Sequence, residues 1–349
     1  MKTLQILCVL MLGMFASNAK HEETLTIELQ KDFNFSYIIT NENLLHLNNK
    51  FGNIKVKFGS SKLLKIEARI IVRAINNDLA NKILSQIKVE SAKTGNSIKA
   101  ETVFNNMAHY SNRDQHVKYE INYEITMPTN MGLDLINKFG DVYLPSFSAP
   151  LTLNLDFCKL FADDVSNANS SMKISYGQAT VGKLTGTDIR SNFTNFKAEE
   201  LKNVMFVDNY SELKAKILND VEGKFNYSHG VFDQVKEGLK LKLNYSNNIK
   251  MINIDEQIKN LEIISNFSNV ILPLSKNFNG AFSIKTVNGS FMIDPAFLIN
   301  YQKNTEQDNS KNNKSYSPSN TYEGKIGKKP SSNVKIIIIS NYGDVKIND

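Results

Sequence analysis

A short motif, an asparagine followed by an aromatic residue, recurs at a fixed period along the middle of this sequence. Copies stand at Asn192-Phe193, Asn209-Tyr210, Asn226-Tyr227 and Asn244-Tyr245. Successive copies are separated by about 17 to 18 residues, and a fixed short period indicates one supersecondary unit stacked on copies of itself. The same aromatic position is filled elsewhere by Phe51, Phe139, Phe157, Tyr176, Phe267 and Tyr342.

Apolar residues recur at fixed offsets from each aromatic residue, four places before it and three, five and eight places after it. Around Phe193 these residues are Ile189, Phe196, Ala198 and Leu201. Offsets of two within a run follow the side-chain period of a β-strand. The odd step after the aromatic residue indicates a corner. We expect the residue that follows the aromatic one to take it, because glycine tolerates positive φ and serine bonds locally to a turning backbone. These residues are Gly140, Gly177, Ser211, Ser228, Ser246 and Ser268.

This pattern constrains the fold class. A unit of about 17 residues with short strands and no helix signal cannot bury its apolar side chains alone, but stacked copies at roughly 4.8 Å per step can. The sequence therefore predicts an all-β protein, a parallel β-solenoid of about 17 to 18 residues per coil. A right-handed β-helix is favoured because parallel crossovers prefer that hand. A left-handed prism of the same coil length stays open as the alternative.

The repeated motif itself predicts a structural ladder. We expect Asn192, Asn209, Asn226, Asn244 and Asn266 to form one column, with each side-chain amide bonded to the amides above and below it. Phe193, Tyr210, Tyr227 and Tyr245 should lie directly over one another, and we interpret their column as core rather than as a ligand cage.

The first residues indicate export. Residues 1–19 carry Lys2, an apolar run from Leu4 to Ala16 and the small-residue end Ser17-Asn18-Ala19, a pattern typical of a secretory signal peptide. The run is too short to anchor the chain across a bilayer, so we expect no transmembrane segment after cleavage. Cleavage would leave Cys158 alone, which excludes an intramolecular disulfide. The predicted location is the periplasm or the cell surface and extracellular space.

Composition divides the rest of the chain into four parts. Residues 20–130 are predicted to form a β-rich N-terminal cap with a first coil copy and one short helix over 77–87, capped by Asn77. Residues 131–300 hold the solenoid repeats. Residues 301–333 are rich in Asn, Lys and Ser and are predicted to be a mobile low-complexity insertion. Residues 334–349 return to the pattern as the final coil.

Several classes of function find no support in the sequence. The net charge of +6 is mild, and no basic block or Arg-rich helix indicates nucleic-acid binding. The five histidines share no metal-ligand spacing, and no phosphate-binding loop or nucleophile elbow occurs. We therefore predict no catalytic residues, no metal and no cofactor, and a protein that is not an enzyme.

Acidic residues at one offset keep a second hypothesis open. Their charges alternate with lysines from coil to coil, in the order Asp163-Asp164, Lys183, Glu199-Glu200, Lys216 and Asp233. Opposite charges on adjacent strands favour one register, so we interpret the series as a surface ladder. The alternative is a carbohydrate-active β-helix enzyme, a polysaccharide lyase or hydrolase, that uses Asp164 and Glu200 two coils apart. Lys183 between them argues against this alternative.

Three short segments carry a family resemblance: residues 49–54 (NKFGNI), 137–142 (NKFGDV) and 341–345 (NYGDV). Together with the signal peptide and the strand, Asn-Tyr-Ser, strand copies, they resemble the exported putative-adhesin families of Gram-negative bacteria, adhesin domain-containing β-solenoid proteins. The resemblance covers nearly the whole mature chain. It implies a right-handed β-helix on the periplasmic or outer side of the cell, and the family has no enzymatic residues to carry over.

We therefore expect a non-enzymatic exported β-solenoid, an adhesin or a cell-envelope binding or structural protein. Its partner would be an unknown protein or glycan ligand at the cell envelope. An envelope-stress or assembly factor that acts through protein contacts alone is a third hypothesis.

Overall fold

The computed structural model describes residues 25–39, 43–59, 62–105, 116–306, 319–328 and 334–349. Across these residues the chain is all-β apart from one helix. Twenty-four strands form one large sheet and three form a second sheet, and the large, mostly parallel sheet curves until it nearly closes on itself. The all-β prediction with a mainly parallel sheet is confirmed at this level. The predicted signal peptide, residues 1–19, lies outside the described residues.

The N-terminal region consists of long strands and the helix. Its elements are β1 (Ile27–Ile38), β2 (Leu44–Lys50), β3 (Ile54–Phe58), β4 (Leu63–Ala74), α1 (Asn77–Gln86), β5 (Ile87–Thr94), β6 (Ser97–Phe104) and β7 (Val117–Met127). Strand β4 lies antiparallel between β1 and β7. The predicted cap of the helix is wrong by one residue. Asn76 is the N-cap, because its side chain accepts a hydrogen bond from the Leu79 N–H.

The middle of the chain repeats one pair of strands, one on each side of every aromatic residue. These strands are β8 (Gly132–Lys138), β9 (Val142–Leu144), β10 (Leu151–Asp156), β11 (Lys159–Ala162), β12 (Ser171–Ser175), β13 (Gln178–Thr185), β14 (Asp188–Asn192), β15 (Asn195–Lys202), β16 (Met205–Asn209), β17 (Glu212–Asn226), β18 (His229–Asn244), β19 (Asn248–Ile254) and β20 (Asn260–Asn266). Each strand pairs in parallel with the equivalent strand of the next copy. Met172 lies opposite Ile189, and Ile189 lies opposite Phe206.

The inward positions of these copies form a continuous apolar core. The predicted offsets are confirmed around Phe193, where Ile189, Phe196, Ala198 and Leu201 are all buried. The strand residues that alternate with them, such as Arg190, Lys197 and Glu199, are exposed, as the period of two requires. The apolar residues of successive copies therefore share one core.

The last strands depart from the predicted order. They are β21 (Val270–Pro273), β22 (Gly280–Val287), β23 (Phe291–Ile293), β24 (Ile299–Glu306), β25 (Ser319–Ile326), β26 (Lys335–Asn341) and β27 (Val345–Asn348). Strand β25 lies antiparallel between β22 and β24. A mobile insertion over 301–333 is therefore wrong for 301–306 and 319–326. The low apolar content of this region misled the prediction. Strand β25 needs few apolar residues, because it buries only Tyr322 and Ile326. Residues 307–318 and 329–333 lie outside the described ones.

Strands at both ends of the stack are interleaved. Strand β26 lies between β20 and β22, and β27 lies between β21 and β23, all in parallel. Residues 334–349, predicted to be the final coil, therefore do not lie at the end of the strand order, because the earlier segment 280–293 lies outside them. At the opposite end, β2 lies between β6 and β8, and β3 lies between β7 and β9.

Candidate functional site

One corner of the stack carries the repeated aromatic residues, and there the backbone turns with positive φ. The aromatic residue itself takes this conformation, with φ of 51° at Phe193, 52° at Tyr210 and 53° at Tyr227. The prediction that the following Gly or Ser takes it is wrong. That following residue is directed inward, where Ser211 and Ser228 are buried. At Gly140 an added Cβ would lie 2.0 Å from the carbonyl oxygen of Gly52, so no larger residue fits.

The aromatic side chains form a column of ten parallel rings, which we name the aromatic column. Adjacent ring centroids are 4.7–5.1 Å apart and adjacent planes differ by at most 12°. The column consists of Phe51, Phe139, Phe157, Tyr176, Phe193, Tyr210, Tyr227, Tyr245, Phe267 and Tyr342. With nine steps of one strand spacing, it is on the order of 45 Å long.

The interpretation of these rings as core is wrong. Phe193 is 50% exposed and Tyr210 is 53% exposed. Positive φ directs the side chain away from the interior at the corner, and each ring between the two ends of the column is covered on both faces by its neighbours. The exposed part is therefore the ring edge, which is the positive part of the aromatic quadrupole.

Asparagine amides form a second column beside the rings. The Nδ2 of Asn209 donates to Oδ1 of Asn192 at 2.9 Å, and the Nδ2 of Asn226 donates to Oδ1 of Asn209 at 2.7 Å. The series continues through Asn244, Asn266 and Asn341 at 2.7–2.9 Å. These amides are half-buried, and the amide groups along the column repeat at the strand spacing.

A column of hydroxyl groups lies inside the corner and was not recognised in the sequence as a site. The backbone N–H of Thr194 donates to Oγ of Ser211 at 2.9 Å, and the N–H of Ser211 donates to Oγ of Ser228 at 3.2 Å. Ser228 and Ser246 continue the same pattern toward Ser268. The recurrence of serine after the aromatic residue was the available signal.

Asp208 is a buried carboxylic acid next to this corner. Its side chain is fully buried, and its Oδ1 accepts a hydrogen bond from the Ser191 hydroxyl. Burial raises the pKa of Asp208 to about 6, and the hydrogen bond from Ser191 opposes that rise. Only its position signals this residue in the sequence: equivalent positions in neighbouring copies hold Ser191 and Phe225.

A groove runs beside the aromatic column and combines ring edges with polar groups. Its volume is about 580 Å³. It is lined by Phe193, Thr194, Asn195, Tyr210, Ser211, Glu212, Tyr227 and His229. The surface thus offers amide, carboxylate and imidazole groups next to a continuous strip of aromatic edges.

The charged series lies on another part of the surface. Lys183 Nζ is 2.9 Å from Glu200 Oε2, and Lys216 Nζ is 2.6 Å from Glu199 Oε2. The backbone N–H of Lys183 also donates to Asp164 Oδ1 at 2.7 Å. Burial alone would raise the pKa of Glu200, but Lys183 lowers it below the ordinary value. A general acid needs a raised pKa, so Glu200 does not suit that role in a glycosidase pair.

Two further observations concern the described residues. No group of three or more His, Cys, Asp or Glu side chains in this part of the chain could hold a metal ion. No helix there is long and apolar enough to cross a membrane.

Comparison with known proteins gives a likeness among solved structures only. No protein-family model matches the chain, and no curated protein sequence matches it. A putative adhesin from Bacteroides fragilis is 14% identical, with 91% of this chain and 97% of that chain covered and a TM-score of 0.31. A putative cell adhesion protein from Clostridium sporogenes is 14% identical, with 91% and 99% covered and a TM-score of 0.19. A putative lipid binding protein from Parabacteroides distasonis is 8% identical, with 91% and 97% covered and a TM-score of 0.37.

Proposed function

We propose that the chain is a parallel β-solenoid with about 17 to 18 residues per coil, in which right-handed winding is favoured. Parallel registers one repeat apart and the single aromatic column support this reading. Residues 20–130 would act as the N-terminal cap and 131–300 as the repeats. The hairpin of β24 and β25 would close the other end by covering β22.

For its function, we propose an exported, non-enzymatic protein of the adhesin class that binds or organises the cell envelope. The observation that carries this proposal is the aromatic column, because ring edges along its length are exposed to solvent in a repeating strip. Exposed apolar strips bordered by polar groups are typical of binding surfaces. The asparagine column would hold the rings in register and so would serve both stability and binding.

The chemistry of the surface limits how a partner can contact it. Ring faces are occupied by neighbouring rings, so a sugar cannot stack on them along the column. The exposed edges are the positive part of each ring and favour oxygen atoms of a partner. A protein or glycan ligand at the envelope would therefore be contacted through carbonyl, carboxylate or hydroxyl oxygens that repeat along an extended chain.

A binding experiment with matched variants tests the surface. Beads coated with the purified protein are incubated with outer-membrane vesicles, peptidoglycan and surface polysaccharide from the producing cells. The double variant Tyr210→Asn/Tyr227→Asn removes two rings with a residue that tolerates positive φ. We expect this variant to lose retention, whereas the exposed Met205→Asn, which lies outside the column, keeps it. Equal retention by both variants would contradict the proposed surface.

Export and location are tested on intact cells. A protease added outside the cells should degrade the protein if it lies on the surface and spare it if it lies in the periplasm. The proposal of an exported protein fails if the protein fractionates with the cytoplasm.

The carbohydrate-active alternative has its own test. Turnover of a glycan that is abolished by Asp164→Asn or Glu200→Gln would favour an enzyme over a binding protein. If the protein is instead an assembly factor, the Tyr210→Asn/Tyr227→Asn variant should still bind envelope proteins, because the contacts would lie outside the aromatic column.

A further inference from the structure

The order of strands at one end of the stack differs from the order of the sequence. We name residues 334–349 the inserted segment; it contains β26 and β27. It lies between β20 and β21 on one side and β22 and β23 on the other, although all four strands precede it. We name the space between these two pairs of strands the slot, and the pairs β20 with β21 and β22 with β23 its two walls. Both walls are made of residues that are synthesised before the inserted segment.

The inserted segment is buried on its inward side. Ile336, Ile338, Val345 and Ile347 are buried there. The ring of Tyr342 stacks on that of Phe267 with centroids 4.8 Å apart.

Polar contacts bind the segment to both walls. Toward β20, Nδ2 of Asn341 donates to Oδ1 of Asn266 at 2.9 Å. Toward β22, the backbone N–H of Tyr342 donates to the carbonyl oxygen of Val287 at 2.8 Å. Beside β23, the Ser290 hydroxyl donates to Oδ1 of Asp344 at 2.7 Å. These hydrogen bonds thus join the inserted segment to residues on both sides of it.

The two walls carry the same pattern in the same register. Ile338 lies opposite Ile263 on one side and opposite Ile284 on the other. Without the inserted segment both walls would present unpaired strand edges, which recruit any strand of matching pattern. The strand that pairs with these edges can therefore belong to the same chain or to a second copy of it.

We propose that the slot also accepts the inserted segment of a second copy of this chain, so that two copies associate by reciprocal exchange of residues 334–349. Exchange of an identical element makes every contact of the single chain and forms a closed pair. The chain's own segment competes for the slot with the segment of a second copy, at an effective concentration set by the residues that connect it to β25. Exchange is therefore expected when the chains fold at high protein concentration. The proposal does not depend on the ligand surface of the aromatic column, and its failure leaves that surface untouched.

The test uses full-length chains in a Cys8→Ser/Cys158→Ser background. One preparation carries Ser265→Cys and the other carries Ser340→Cys, because these two positions are buried and directly opposite each other on β20 and β26. Paired positions on adjacent strands lie within disulfide reach. Each chain then has one cysteine, so only exchange brings two cysteines together.

The two preparations are unfolded, mixed, refolded at high concentration, oxidised and analysed on a non-reducing gel. We expect a species of twice the monomer mass whose disulfide joins positions 265 and 340, as identified by mass spectrometry. The matched control carries both substitutions in one chain and is refolded at low concentration, where it should form an internal disulfide in a monomer. A mixture that stays monomeric while the control forms its internal disulfide would overturn the proposal.

A second measurement uses a labelled peptide with the sequence of residues 334–349. Added during refolding of the full-length protein, it should be retained with the protein in size-exclusion chromatography. The peptide with Ile338→Asp places a charge at a buried position and should be retained at least tenfold less. Equal retention of the two peptides would also overturn the proposal.

Discussion

The ring of Tyr227 lies parallel to the ring of Tyr245, with centroids 4.9 Å apart and an interplanar angle of 0°. Both residues have positive φ, 53° and 52°, a conformation that costs a bulky residue on the order of 1–3 kcal/mol. Each ring also contacts a second neighbour, and an aromatic contact contributes about 0.5–1.5 kcal/mol. Stacking along the corner therefore offsets the strain of a turn that glycine would make freely.

Substitution of Tyr227 separates stacking from strain. Tyr227→Ala removes two ring contacts but keeps positive φ, so we expect the free energy of unfolding to fall by about 1–3 kcal/mol. Tyr227→Gly loses the same contacts and relieves the strain, so its loss should be smaller by about 1 kcal/mol. Urea unfolding followed by circular dichroism measures both. Ile252→Ala, an exposed residue outside the column, is the control. Equal losses in the Ala and Gly variants would contradict a strained corner.

The asparagine column predicts a difference between its middle and its end. Asn226 bonds to Asn209 and to Asn244, whereas Asn192 makes one such amide contact, with Asn209. Removing one hydrogen-bond partner from a half-buried group costs about 1 kcal/mol. Asn226→Ala should therefore lower the free energy of unfolding about twice as much as Asn192→Ala. The same denaturant titration compares the two, and equal losses would show that the amides do not act as a connected column.

Cys158 should be unreactive in the folded protein. It is buried, its Sγ donates to the Asn137 carbonyl oxygen at 3.4 Å, and burial raises the pKa of its thiol. Because the thiolate is the reactive form, iodoacetamide should label Cys158 only as fast as the protein unfolds. Peptide mapping by mass spectrometry at increasing urea gives the rate. Rapid labelling in the absence of urea would contradict the buried position.

The short period of the repeat was sufficient to predict which residues are neighbours, because parallel stacking fixes partners one repeat apart. Thus Ile189 lies opposite Phe206. The same regularity hides the order of the coils. Ile338 and Ile284 belong to strands with one pattern, and either strand fits beside Ile263, so sequence alone does not reveal that the later strand is inserted.

The exposure of the rings was not predictable from the period either. An aromatic residue at a repeated position suggests burial, and positive φ at a bulky residue is uncommon enough that Gly or Ser is the better guess. The turn is at Phe193 rather than at Thr194 because ring stacking is a contact between copies. Residue preferences for local backbone conformation do not include contacts between copies, so they could not predict this turn.

Asp208 predicts an unusual pH dependence of stability. Its pKa is about 6 in the folded protein, raised by burial from an ordinary value of 3.8. Because the folded state binds this proton more tightly than the unfolded state, protonation of Asp208 stabilises the fold. This contribution is fully present below the lower pKa and is lost as the pH rises through the upper one. One pKa unit corresponds to about 1.4 kcal/mol, so this group should lower the free energy of unfolding by about 3 kcal/mol between pH 3.5 and pH 8.

Asp208→Asn tests this assignment, because the amide stays neutral at every pH. We expect the variant to be more stable than the native chain at pH 8, and the difference should shrink toward zero as the pH falls below the lower pKa. Carboxylates with lowered pKa values, such as Glu124 and Asp344, act in the opposite direction. They are unchanged by the substitution, so the difference between the two proteins isolates Asp208. Glu199→Gln removes one carboxylate from an exposed position and serves as the control. A constant difference between Asp208→Asn and the native chain from pH 3.5 to pH 8 would show that the carboxyl group does not titrate within this range in the folded state.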